Sequence, residues 1–64
     1  MDIIEVYRDS LIKNGFREDF IKNLSPFGIC SLYELWDVED EDEQEMNVKM
    51  FLDEYGFTEN EAMW

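Results

Sequence analysis

Asp40-Glu41-Asp42-Glu43-Gln44-Glu45-Met46-Asn47-Val48-Lys49-Met50-Phe51-Leu52-Asp53-Glu54-Tyr55-Gly56-Phe57 carries both the structural and the chemical signal of this chain. Val48, Phe51, Leu52 and Tyr55 stand at i, i+3, i+4 and i+7, the spacing of one buried helix face, which predicts a helix over Glu41–Tyr55. At about 100° per residue, Met46 and Met50 fall on the opposite side, beside Asp42, Glu43, Asp53 and Glu54. Gly56-Phe57 then has the form of a left-handed helix stop followed by an apolar residue that folds back.

The stop occurs twice. Leu11-Ile12-Lys13-Asn14-Gly15-Phe16 matches Leu52-Asp53-Glu54-Tyr55-Gly56-Phe57. Upstream of the first copy, Ile3, Ile4, Tyr7 and Leu11 are helically spaced with Glu5, Asp9 and Lys13 opposite, predicting an amphipathic helix over 2–14. A second helix is expected over about 17–24, burying Phe20, Ile21 and Leu24. Ser25-Pro26 reads as an N-cap with proline at the first helical position, opening a short turn that Gly28 ends. Ser31-Leu32-Tyr33-Glu34 has the capping-box form, so a short third helix is expected over 32–36, with Leu32, Leu35 and Trp36 inward. Thr58 and Glu61 form another capping box, predicting a last helical turn over 59–64. No alternating Val/Thr-rich segment suggests a sheet. The expected fold is all-α, a compact bundle of four to five short helices forming one small acidic domain over 1–64.

Sixty-four residues bury only about 60% of the surface they expose when unfolded, which leaves little room for a deep catalytic cleft. Hydrophobic residues at 45% and aromatics at 16% nevertheless demand a core. Most of the aromatics, among them Phe16, Phe20, Phe27, Phe51 and Tyr55, are assigned to it. Trp36 and Trp64 are the candidates for outward contact. The single Cys30 has no base beside it and reads as a buried structural thiol, consistent with a reducing cytoplasm. No basic leader precedes an apolar run, and no segment approaches the roughly 20 apolar residues that span a bilayer.

Seventeen acids against five bases give a net charge of −12. Residues 1–36 carry net −2 and residues 37–64 net −10, so the field comes from the C-terminal half. It repels nucleic acid and anionic membranes and attracts basic protein surfaces. Asp37, Glu39, Asp40, Glu41, Asp42, Glu43 and Glu45 put seven acids into nine residues. A solvated, solubilising segment is the plain explanation of such a run. The alternative is that its carboxylates imitate a row of phosphates and occupy the Lys/Arg groove of a nucleic-acid-binding protein, with Met46 and Met50 as an apolar anchor ringed by Asp53, Glu54 and the run itself, and Trp36 at its edge. Calcium is disfavoured, because no glycine follows the early acids and Val48 stands where an EF-hand loop needs glutamate. With no histidine and one cysteine, neither a transition-metal site nor a catalytic triad is expected, and no cofactor is implied. The expected activity is binding, without catalysis.

Two resemblances follow from these residues. Asn14-Gly15-Phe16, Phe27-Gly28-Ile29-Cys30-Ser31-Leu32-Tyr33-Glu34-Leu35 and Asp40-Glu41-Asp42 through Glu45-Met46-Asn47-Val48 resemble the turns of a sterile alpha motif (SAM) domain over residues 11–48. That resemblance implies self-association, in the simplest case a homodimer, or adaptor binding, with the acidic segment on one polymer-forming surface. Asn47 departs from that family's glycine, and the long closing helix with its basic start is absent. In size, charge and acid clustering the chain is similar to phage-encoded inhibitors of the anti-CRISPR and DNA-mimic kind. This second resemblance implies blocking of a basic groove in a nucleic-acid-binding protein or complex within the host cytoplasm.

Overall fold

Each helix begins on a side chain or backbone geometry that the local sequence supplies, and the ends are equally specific. The protein, seen in a computed structural model that describes residues 2–64, has α1 (Ile3–Lys13), α2 (Glu18–Asn23), α3 (Pro26–Trp36), α4 (Glu41–Tyr55) and α5 (Glu59–Ala62). Met1 lies outside the described residues. Asp2 starts α1 by accepting the Ile4 N–H at 3.0 Å. Thr58 and Glu61 form the reciprocal capping box of α5. These bonds satisfy amide donors that the first helical turn leaves without a partner.

The repeated stop is the same device both times. Gly15 (φ 110°) and Gly56 (φ 79°) take the positive φ that disfavours a side chain. Phe16 N–H then donates to Leu11 O at 3.1 Å and Phe57 N–H to Leu52 O at 2.8 Å, while each glycine N–H reaches the carbonyl three residues back. This is the Schellman pattern, and it turns both phenylalanines toward the interior. Phe16 is completely buried, and Phe57 packs on the core from its edge.

The third helix corrects the expectation of two separate pieces. α3 is one continuous helix from the Ser25 cap, whose Oγ accepts the Gly28 N–H at 3.1 Å. Gly28 is therefore an interior residue with an ordinary helical backbone, and it stops nothing. A Cβ there would make ordinary contact with the ring of Tyr55 at 3.7 Å, so neither the backbone nor the space requires glycine. The Ser31/Glu34 pair falls mid-helix and starts no helix.

The principal packings run α1 on α3, α3 on α4, α4 on α5, α5 on α2 and α2 on α1, a closed ring around the core. Aromatic pairs bind it together. Tyr7 stacks on Tyr33 at 4.0 Å between α1 and α3, and Phe20 meets Phe57 edge-on at 4.9 Å. Phe16 takes the edge of Trp36 at 5.1 Å. The chain end closes the ring: after α5, Met63 pairs antiparallel with Phe16, with Arg17 N–H donating to Ala62 O at 2.7 Å and Trp64 N–H to Gly15 O at 3.1 Å. The expected final helical turn thus ends at Ala62 and continues extended. No strand occurs among the described residues.

Several assignments to the core need correction. Ile3 is exposed, since α1 turns Ile4, Tyr7 and Leu11 inward instead. Tyr55, at the end of the α4 stripe, is 39% exposed, and Phe27, beside the Ser25-Pro26 cap, is 77% exposed. Cys30 is a free thiol only half buried. In a chain this small the interior is filled before the apolar residues run out.

Candidate functional site

The acidic segment is built before it is displayed. Asp40 caps α4, its Oδ1 accepting from Asp42 N–H at 2.9 Å and Glu43 N–H at 3.4 Å. Glu41, Asp42 and Glu43 occupy the first turn, where the helix dipole favours negative charge. Two uncharged residues within the acidic stretch fasten it to the preceding helix. Gln44 Nε2 donates to the Trp36 carbonyl at 2.8 Å, and Asn47 Nδ2 donates to the Leu35 carbonyl at 3.0 Å. Those carbonyls belong to the last turn of α3, where no intrahelical donor is left for them. The Asp37–Asp40 loop is therefore held from both sides.

The run does not form one row. Asp37 and Glu39 lie in the loop. On α4 the carboxylates divide by the 100° step of the helix. Glu41 and Glu45 face a shallow depression of about 360 Å³ that Trp36, Val48 and Met63 also line. Asp42 and Asp53 share the outer face with Met46 and Met50, which are each 63% exposed as the spacing predicts. Glu43 and Glu54 lie on the flank toward α3. Trp36 is half buried against Phe16, so it supports the patch from beneath and presents only part of its ring.

Neutralisation within the chain is slight. Among the described residues the ion pairs are Arg17–Asp19, Lys22–Glu18 and Lys49–Glu45 at 3.4, 2.8 and 3.2 Å. Only the last touches the acidic run, and both its partners are largely exposed, where such pairs contribute little. Asp37, Glu39, Glu41, Asp42 and Glu43 have no cation beside them among the described residues. Glu41, Asp42, Glu43 and Glu45 place four carboxylates along about 6 Å of helix axis, at a mean interval of about 2 Å. Duplex DNA carries one charge per about 1.7 Å of axis.

No group of three or more His, Cys, Asp or Glu side chains among the described residues is disposed to hold a metal ion. No helix of the described residues is long and apolar enough to cross a membrane. Sequence reasoning missed Gln44 and Asn47, whose polar character within a run of acids and beside a core stripe was the available signal. It also missed Phe27, which follows a helix-starting proline and so points away from the bundle. Searches against protein families, curated proteins and solved structures return no match to this chain.

Proposed function

We propose that this protein is a non-enzymatic inhibitor that sets the acidic outer face of α4 into a basic, nucleic-acid-binding groove of a partner protein, in the manner of an anti-CRISPR or other DNA mimic acting in a host cytoplasm. The observation that carries this reading is the first turn of α4, where Glu41, Asp42 and Glu43 stand at successive positions with no cation beside them among the described residues, on a helix pinned to α3. Charge steers the encounter, and Met46 and Met50 supply the apolar contact that holds it. Capping by Asp40 and the Gln44 and Asn47 bonds keep the face ordered before binding, which lowers the ordering cost on association.

The experiment is capture of partners from a host lysate on immobilised protein, with elution by duplex DNA and separately by salt. Basic nucleic-acid-binding proteins released by both treatments support the reading. Partners that stay bound in the presence of excess DNA oppose it.

A further inference from the structure

Beside the outer face of α4 lies a second surface of different character. An open groove of about 640 Å³ runs between α3 and α4. Phe27, Leu35, Val38 and Tyr55 give it an apolar lining, and Phe27, at 77% exposure, is the most exposed residue of that lining with a large apolar side chain. Among the described residues that ring joins neither the core nor any aromatic pair. Tyr55 is pre-set opposite it, stacked on Phe51 at 4.2 Å and lying over the bare backbone of Gly28. Glu34, Glu43 and Glu54 rim the groove, and no lysine or arginine lines it. Each of the three ion pairs among the described residues is made by residues elsewhere.

We infer that the α3–α4 groove docks a basic amphipathic helix of a partner protein, which inserts an apolar side chain between Phe27 and Tyr55 and pairs Lys or Arg with Glu34, Glu43 and Glu54. Charge complementarity fixes the occupant. Apolar side chains interrupted only by Ser31 and Asn47, with acidic and no basic residues beside them, fit a helix whose apolar stripe is flanked by bases, the helix-in-groove mode of recognition. Glu43 and Glu54 are eleven residues apart on α4, about 16 Å along its axis, so about three turns of a docked helix lie between them. A second copy is the poorer fit, because it brings another net charge of −12 to a surface without cations. This surface uses Phe27 and Tyr55, whereas the proposed inhibitor face centres on Asp42, Met46, Met50 and Asp53; Glu43 borders both and is left in place by every variant below, so either can fail alone.

The test is selection of a phage-displayed library of random 16-residue peptides on the immobilised full chain, followed by affinity measurement on wild type, Phe27→Ala, Glu34→Lys/Glu54→Lys and Asp42→Lys/Asp53→Lys. Phe27 is so exposed that its truncation leaves the core intact. The expected result is enrichment of peptides with net positive charge and apolar residues at i, i+3 or i+4, and i+7. Their affinity falls at least tenfold in Phe27→Ala and in Glu34→Lys/Glu54→Lys, and less than threefold in Asp42→Lys/Asp53→Lys. The inference is overturned by a selection that enriches nothing, by peptides that bind Phe27→Ala as well as wild type, or by a Phe27-dependent dimer in light scattering.

Discussion

Gln44 Nε2 donates a 2.8 Å hydrogen bond to the carbonyl of Trp36, so a side chain in the first turn of α4 closes the last turn of α3. Asn47 does the same one turn on, for Leu35. Together they fasten the start of the acidic helix to the end of α3. Asn47→Ala removes the donor from the half-buried Leu35 carbonyl and is expected to cost about 1 kcal/mol, whereas Gln44→Ala is expected to cost less, because Val38 N–H still donates to Trp36 O at 2.9 Å. In a domain of this size about 1 kcal/mol lowers the melting temperature by about 4–8 °C, so both changes and their order are measurable by circular dichroism. Gln44→Glu is expected to cost more than Gln44→Ala, because a carboxylate cannot donate and repels the carbonyl it replaces a bond to.

The glycines should respond with opposite signs. Gly15→Ala and Gly56→Ala force a side chain into positive φ and are each expected to destabilise by about 1–2 kcal/mol. Gly15, with φ 110° against 79° for Gly56, lies further from the left-handed basin and is expected to suffer more. Gly28→Ala meets only contacts of 3.4 Å or longer and replaces a helix-interior glycine, so a gain of about 0.5–1 kcal/mol is expected. Urea unfolding of the three variants checks the order.

Where periodicity and caps agreed, the sequence was decisive. The stripe of Val48, Phe51 and Leu52 and the paired Gly-Phe stops placed α1 and α4 nearly to the residue, because both depend on local geometry. α3 differs from its expected form because Gly28 and Ser31 each carry a signal that local rules treat as a break, whereas Gly28 keeps an ordinary φ and the helix that Ser25 caps runs through both, burying Ile29 and Leu32. The exposure of Met46 and Met50 followed from helical phase alone. The groove between α3 and α4 did not, since it depends on which side of a continuous α3 carries Phe27 and on how far Tyr55 reaches from the core.

The guanidinium of Arg17 lies 4.7 Å over the ring of Trp64 while its Nη1 donates to Asn60 O at 3.2 Å. This latch holds the chain end beside Phe16. Arg17→Ala is expected to lose about 0.5–1 kcal/mol of cation–π attraction together with the Asn60 bond. The readout is faster hydrogen exchange at the Trp64 amide, which donates to Gly15 O, with the exchange of α4 amides little changed.

Uncompensated charge makes salt a stabiliser. The protein measures 31 × 24 × 20 Å, so a Debye length of about 30 Å at 0.01 M lets every carboxylate repel the others, whereas about 8 Å at 0.15 M confines repulsion to neighbours. The melting temperature is expected to rise steadily with sodium chloride across that range. Asp42→Asn should flatten the dependence, whereas Asp40→Ala should lower stability by about 1 kcal/mol through loss of the α4 cap.

The most direct measurement of the inhibitor reading is the affinity of the DNA-eluted partner for wild type and for Asp42→Lys/Asp53→Lys, which leaves the Asp40 cap in place. It is titrated at low and high salt with duplex DNA as competitor. Wild-type affinity is expected to fall at least tenfold between about 0.05 and 0.2 M salt, where screening shortens the reach of surface charge. DNA then displaces the protein, and the charge-reversed variant binds at least tenfold more weakly. A ternary complex of partner, DNA and this protein, or equal affinity of the two forms, would contradict it.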